Sequence, residues 1–260
     1  MLFPQRLWGL CLSAMLGMVS VGCAGGTPPV REPHDPLEGF NRAMYTFNEG
    51  LDTTLLKPLA QGYHAVTPDP VETGIGNFFS NLNDVIVVVN DLLQGKFHHA
   101  IEDTSRLVYN STFGLLGFID VATHMGLPKR REDFGQTLGY WGIGSGPYLV
   151  LPFFGPSSVR DGVGLVGDWY THPIRWGVDS TSTSWGLWGI NIVDRRAQLL
   201  RAERVLGTAA LDPYIFLRES YLQQRQSLVY DGNPPGFDLA DELDALDELD
   251  ELDSLEPPPE

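Results

Sequence analysis

The sequence contains very little cysteine. Its 260 residues include two, Cys11 and Cys23. If the first leaves with a signal peptide and the second carries a lipid, no thiol remains, so the mature chain can form no disulfide. Without cysteine, a structural zinc site is also improbable. We therefore expect the stability of the mature protein to come from packing or from a membrane.

Motifs of enzyme chemistry are absent as well. The six histidines form neither a His-x-x-x-His nor a His-Glu-x-x-His pattern. Ser145 lies between two glycines without the Gly-x-Ser-x-Gly spacing of a nucleophile elbow, and no glycine-rich nucleotide motif stands in the right setting. Four aspartates could pair as catalytic carboxylates, but no spacing selects a pair. We expect a protein that is not an enzyme and has no metal and no cofactor.

Positive charge is scarce. Lys and Arg number 17 against 33 Asp and Glu, which gives a formal net charge of −16. Eleven of the acids follow residue 236, where no base occurs, so residues 231–260 are expected to form a disordered acidic tail. A peptide that docks on a basic partner is the alternative for this tail. The remaining chain is mildly acidic without a basic stripe, which argues against nucleic-acid binding.

The N-terminus has the pattern of an exported lipoprotein. A basic residue and an apolar run over Leu7–Val19 predict a signal peptide at residues 1–22. Cys23 then falls where lipidation is expected, and residues 23–34 form a Gly- and Pro-rich tether. Ala24, rather than Asp, after the cysteine favours delivery to the outer membrane. A plain signal peptide with an incidental cysteine is the alternative.

Apolar residues recur every three or four positions through most of residues 35–230, which predicts amphipathic helices. Asp35 has the features of an N-cap at the start of the first helix. A break in helical structure is expected at Lys57-Pro58. The clearest helix covers Val71–Gln94 and is ended by Gly95. With no convincing run of alternating strands, we predict a single all-α domain.

Further helices are predicted on both sides of the middle of the chain. One covers Phe97–Phe113, with Ile101, Leu107 and Val108 facing inward, and the run Lys129–Asp133 after it is predicted to be a solvated loop or, alternatively, a lipid-headgroup contact. A later helix is capped by Ser157 or Ser158. After a polar linker at Ser180–Ser184, another helix covers Trp185–Leu206 and is stopped by Gly207. The last helix starts at the pair Asp212-Pro213.

The stretch Gly139–Pro156 is uncharged, rich in aromatic rings and repeatedly interrupted by glycine and proline. It is too short and too broken for a membrane-spanning helix. Tyr and Trp rings settle at headgroup level and aliphatic or Phe side chains lie deeper. The alternative is a buried loop and strand in an ordinary core. The candidate membrane-facing residues are Tyr140, Trp141, Leu149, Leu151, Phe153 and Phe154.

Seven short blocks resemble those of one family, the MlaA/VacJ lipoproteins of the outer membrane. They cover nearly the whole span from residue 35 to about 230 and come in the family's order. The blocks are Asp35–Arg42, Gly117–Asp120, Phe134–Gly139, Gly146–Tyr148, Leu151–Phe153, Arg196–Leu200 and Asp212–Tyr214.

This resemblance implies a ring-shaped helical domain with a central channel, embedded in one membrane leaflet. Such a lipoprotein takes mislocalised phospholipid from the outer leaflet and passes it to a soluble periplasmic carrier, commonly beside a trimeric porin. We expect it on the periplasmic side of the outer membrane. The rival hypotheses are a structural or adhesive surface lipoprotein and a hydrolase. Candidates for the channel and its mobile loop are Asn41, Arg42, Gly142, Gly144, Gly146, Pro147 and Tyr148.

Overall fold

The computed structural model describes residues 35–206 and 212–235. The signal peptide, the tether, Gly207 and the tail from residue 236 onward lie outside the described residues. The described part is mainly helical, which confirms the predicted fold class. Its helices are α1 (Glu38–Leu51), α2 (Lys57–Val66), α3 (Asp69–Leu93), α4 (Phe97–Thr112), α5 (Val121–His124), α6 (Phe134–Tyr140), α7 (Val159–Thr171), α8 (Pro173–Gly177), α9 (Thr181–Leu206) and α10 (Pro213–Val229).

Side-chain caps start several helices where the sequence predicts a start. The hydroxyl of Ser158 accepts a hydrogen bond from the amide of Asp161 at the start of α7, at 3.1 Å. Asp212 accepts from the amide of Tyr214 at the start of α10, at 2.9 Å. Both predicted caps are confirmed. The oxygen of each short side chain accepts a hydrogen bond from a backbone amide that has no partner within the first helical turn.

Three predicted boundaries are wrong. The N-cap of α1 is Leu37 and not Asp35. The carboxylate of Asp35 is buried instead. The chain does not break at Pro58, since a π-helical turn, Asp52–Leu56, connects α1 to α2. Pro58 lies in the first turn of α2, and a π turn accommodates a residue that cannot donate the regular helical bond. The expected linker at Ser180–Ser184 is already helical from Thr181.

A short β-hairpin, which the helix-only prediction missed, follows α6. Strands β1 (Tyr148–Leu151) and β2 (Gly155–Ser158) pair antiparallel with Tyr148 opposite Ser158. Phe153 in the connecting turn has φ +68°, a left-handed conformation that is rare outside glycine. Four-residue strands, one of them containing Gly-Pro, are too short to produce a visible alternation. The strand alternative for this stretch was therefore correct in part.

Two asparagines of α1 cover the free edge of β1. Asn41 donates to the carbonyl of Tyr148 at 3.0 Å and accepts from the amide of Val150 at 2.8 Å. Seven residues further, Asn48 donates to the carbonyl of Leu151 at 2.9 Å and accepts from the following turn. A spacing of seven places both amides on one helix face. They replace a neighbouring strand, which an exposed sheet edge would otherwise seek.

Burial on the central helices is opposite to the prediction for α4. Ile101 is 67% exposed and Val108 is 51% exposed, whereas Asp103 and Arg106 are buried. On α3 the predicted polar face is partly turned inward too, and it buries Asp84, Asn90 and Asp91. Across residues 35–206 and 212–235, no helix combines the length and hydropathy needed to cross a bilayer.

The asparagine bridge predicts unequal effects on stability. Asn41→Ala leaves two buried backbone groups of β1, the carbonyl of Tyr148 and the amide of Val150, without the hydrogen bonds of Asn41. We expect a loss of roughly 2–4 kcal/mol in the free energy of unfolding. Asn48→Ala is the matched control, because its contacts are more exposed and its loss should be about 1 kcal/mol. Denaturant unfolding in detergent, followed by circular dichroism, measures both. Equal losses would show that the buried edge of β1 is not sustained by Asn41.

Candidate functional site

The interior of the described chain is unusually polar. Buried polar and charged residues outnumber buried hydrophobic ones there, although Asp, Glu and Arg are rarely buried in water-soluble proteins. Large apolar side chains lie at the surface instead. Those exposed by 68% or more include Phe113, Leu115, Leu116, Phe153, Phe154, Trp176 and Trp185.

Arg225 of α10 joins two elements through ion pairs. It pairs with Asp133, the N-cap of α6, at 2.6 Å and with Asp161 of α7 at 2.8 Å. Tyr221 also donates to Asp161, at 2.6 Å. Burial opposes ionisation of both carboxyls, but the hydrogen bonds and charge of Arg225 outweigh it and hold their pKa values below the usual range. Arg225 thus links α6 and α7 to α10 through ion pairs.

A buried arginine, Arg106, organises the segment after α4. Arg106 makes two hydrogen bonds to the carboxylate of Asp120, at 3.0 and 3.1 Å, and others to Thr123 and to the carbonyl of Leu127. Burial opposes ionisation of Asp120, but hydrogen bonds from Thr123, Asn110 and Arg106 lower its pKa to about 2. This cluster borders a small polar cavity between α3 and α4.

The predicted loop Lys129–Asp133 is confirmed as a loop, and Lys129 and Arg131 are exposed, but it is solvated only in part because several of its charges pair with groups on the central helices. Lys129 pairs with buried Asp84, and Arg130 pairs with Asp103 at 3.3 Å. Glu132 is buried and accepts a bond from Lys96 at 3.1 Å. The run therefore supplies counter-charges for α3 and α4.

Two buried aspartates lie close together, and only one of them has a basic partner. Asp91 of α3 and Asp103 of α4 are both fully buried, and the oxygens of Asp91 have no hydrogen-bond donor within the described residues. Burial and then repulsion from Asp103 and Glu132 raise the pKa of Asp91 to about 7. Asp91 therefore keeps its proton up to about neutral pH.

The candidate channel residues fall into two groups. Asn41 and Tyr148 are buried and hydrogen-bonded to each other, and Arg42 pairs with Asp212 at 2.9 Å above the ring of Tyr214. These side chains hold α1, β1 and α10 together. The others, Gly142, Gly144, Gly146 and Pro147, lie in the exposed loop before β1. Their role at a channel stays a prediction.

The candidate membrane-facing residues are mostly at the surface. Tyr140, Trp141, Phe153 and Phe154 are exposed by 51–74%, whereas Leu149 and Leu151 are half-buried. Gly142 and Gly144 have no neighbour close enough to touch an added methyl group, and Gly142 has φ +88°. The loop is therefore open on its outer side, with aromatic rings at both ends.

Sequence analysis missed Asp91, Asp103, Arg106 and Arg225 as interior residues. One signal was present: Asp84 and Asp91 are seven positions apart, so they share a face of α3. That periodicity shows a polar face without showing whether it points outward or inward.

The chain is similar to lipoproteins of known name. The family model for "MlaA lipoprotein" matches residues 33–228. "Intermembrane phospholipid transport system lipoprotein MlaA" of Escherichia coli is 36% identical over 249 residues, covering 92% of this chain and 96% of that protein. The protein of the same name in Haemophilus influenzae is 36% identical over 232 residues, covering 85% and 90% of the two chains.

A solved structure is similar as well. It is described as "Structural basis for maintenance of bacterial outer membrane lipid asymmetry" and superposes with a TM-score of 0.66 at 35% identity. The match covers 76% of this chain and all of that chain.

The buried aspartate pair predicts a pH-dependent effect of mutation. An acid whose pKa is raised on folding contributes less stability as the pH rises from about 4 through about 7. Asp91→Asn cannot ionise, so we expect it to raise the melting temperature at pH 8 and to change it little at pH 4.

Asp133→Asn is the control of opposite sign. Because the pKa of Asp133 is lowered on folding, its ionised carboxylate stabilises the folded protein at pH 8. This stabilisation is lost as the pH falls through the pKa of Asp133 in the folded protein. Its substitution should therefore cost most at pH 8. If Asp91→Asn also destabilised most at pH 8, the ionised form of Asp91 would be favourable and the raised pKa would be wrong.

Proposed function

Because the chain belongs to the MlaA lipoprotein family, we propose that it removes mislocalised phospholipid from the outer leaflet of the outer membrane. It passes this lipid to a soluble periplasmic carrier and so maintains lipid asymmetry. The names of its relatives, which refer to intermembrane phospholipid transport, support this proposal.

The observation that carries the proposal is the inverted distribution of polarity. Exposed apolar patches of this extent are costly in water and mark contact with a membrane or a partner. Acyl chains solvate such a surface at no cost, whereas the buried ions need partners within the protein. The domain is accordingly proposed to be embedded in one leaflet and ring-shaped around a channel.

Transport through such a domain needs no covalent step. A phospholipid requires a polar track for its headgroup and an apolar side for its tails, so the protein works by differential solvation. The exposed loop Gly142–Pro147 is proposed as a mobile element beside the channel. It is suited to this role because β1 anchors one end through Asn41, while no atom lies within contact distance of a methyl group added at Gly142 or Gly144.

Localisation and partners follow from the same proposal. Lipidated Cys23 and the tether hold the domain on the periplasmic side of the outer membrane. A trimeric porin beside the domain and a soluble carrier below it are the proposed protein partners. No nucleic acid is involved.

Fluorescence quenching tests the membrane contact. In a variant that keeps Trp141 alone, we expect strong quenching by phospholipids with brominated acyl chains, because this ring is 51% exposed. A variant that keeps Trp188 alone is the control, since that ring is partly buried against His172 with centroids 4.4 Å apart. Quenching of Trp141 by a water-soluble quencher only would favour a tethered structural or adhesive lipoprotein.

Gene deletion tests the transport itself. We expect phospholipid to accumulate at the cell surface and resistance to detergent to fall, because misplaced lipid is no longer removed. Complementation with the wild-type gene should reverse both effects. Unchanged surface phospholipid in the deletion strain would refute lipid removal, even if quenching showed that the domain lies in the membrane.

A further inference from the structure

The turn between α2 and α3 brings together three metal-binding side chains. His64 lies in the last turn of α2, and Asp69 and Glu72 lie in the first turn of α3. One ligand atom from each residue lies within 4.8 Å of the other two. We propose that this turn binds a divalent transition-metal ion, with Zn²⁺ the preferred ion, through His64, Asp69 and Glu72.

The distances suit a metal after a small adjustment. Bonds of about 2.0–2.2 Å to nitrogen and oxygen in a tetrahedral site place neighbouring ligand atoms roughly 3.3 Å apart. Nδ1 of His64 and Oε2 of Glu72 are now 2.7 Å apart, which is a hydrogen bond. A metal takes the place of the shared proton and moves these atoms apart by about 0.6 Å. Asp69 is exposed and offers a carboxylate oxygen within 4.8 Å of the other two ligand atoms.

The electrostatics of the turn favour a cation. Two carboxylates and a neutral imidazole balance the charge of a divalent ion. The carboxylate of Glu72 is almost fully buried and is repelled by that of Asp194 on α9. Tyr63 holds Asp194 by a hydrogen bond of 3.0 Å, so this negative charge is fixed behind the site. The negative dipole potential at the carbonyl end of α2 is offset by the positive potential at the N-terminus of α3, so the carboxylates rather than the helix dipoles favour a cation.

The donor set also indicates which ion fits. Imidazole nitrogen with carboxylate oxygen suits zinc and its first-row neighbours, whereas calcium and magnesium prefer oxygen ligands alone. Pro68 and Pro70 stiffen the turn that carries the ligands. His64 is 33% exposed through its side chain, so an ion can enter and water can complete the coordination.

This proposal departs from the sequence-based expectation of no metal, and it is independent of lipid transport. Spacings of five and three residues match no metal motif. The helix reversal at Thr67 is what turns the imidazole towards the first turn of α3. The competing explanation is a hydrogen bond between His64 and Glu72 that joins the two helices without a metal.

Calorimetric titration with zinc chloride distinguishes the two. The full-length protein, purified in detergent without a polyhistidine tag and stripped with a chelator, should bind one Zn²⁺. His64→Gln and Asp69→Asn should each weaken binding by about 100-fold, because the loss of a direct ligand should cost at least as much as the loss of an outer-sphere partner. Calcium and magnesium chloride should not compete.

His98→Gln is the matched control. His98 faces Glu102 at 3.5 Å on the surface of α4, with no third metal-binding side chain assigned to the pair in the described chain. This variant should bind zinc like the wild type. The melting temperatures of all metal-free variants check their folding, and exposed Asp69 provides a test if His64→Gln is unstable. Absent binding, or binding that survives both substitutions, would overturn the proposal.

Discussion

Charge compensation in the interior is the constraint on which this structure depends. Arg225 and Arg106 each connect separate segments through ion pairs with carboxylates. Removing one partner of a buried ion pair leaves a charge that neither apolar packing nor an acyl-chain environment can stabilise. The geometry of α6, α7 and the segment after α4 is therefore set by hydrogen bonds of defined length and direction. Such contacts give a more specific arrangement than apolar packing alone, and they leave the apolar side chains free to face outward.

The hairpin shows how this constraint reaches the candidate site. Asn41 holds β1 and also donates to Asp35 at 2.8 Å, while Asp35 pairs with Arg218 at 3.3 Å. Tyr214 completes the group by donating to Asp35. Blocks from the beginning, middle and end of the domain thus meet at one buried carboxylate. The exposed loop before β1 ends at this fixed point, so its position is defined, and the amide of Arg160 holds the carbonyl of Ser145 at 3.1 Å. Its open part is at Gly142 and Gly144, where no side chain or backbone lies close.

Much of the local structure could be predicted because its causes are local. Caps at Ser158 and Asp212 depend on oxygens next to the amides that they satisfy, and the long helix α3 follows from periodic spacing. The hairpin could not be predicted, since its strands are too short to show alternation and the support of its free edge comes from Asn41, more than 100 residues away. The metal-binding cluster could not be found either, because its three residues converge only through the reversal between two helices.

The sequence by itself determined the helical class, the main caps, the family and the existence of polar and apolar faces on each helix. Only the tertiary structure decided which face points inward. Periodicity is symmetric in this respect: a helix with Ile101 on one side and Asp103 on the other satisfies it in either orientation. Water as the surrounding solvent would favour burial of the isoleucine, whereas partners such as Arg130 favour burial of the aspartate. Those partners come from distant parts of the chain, so the choice was made by the folded molecule as a whole.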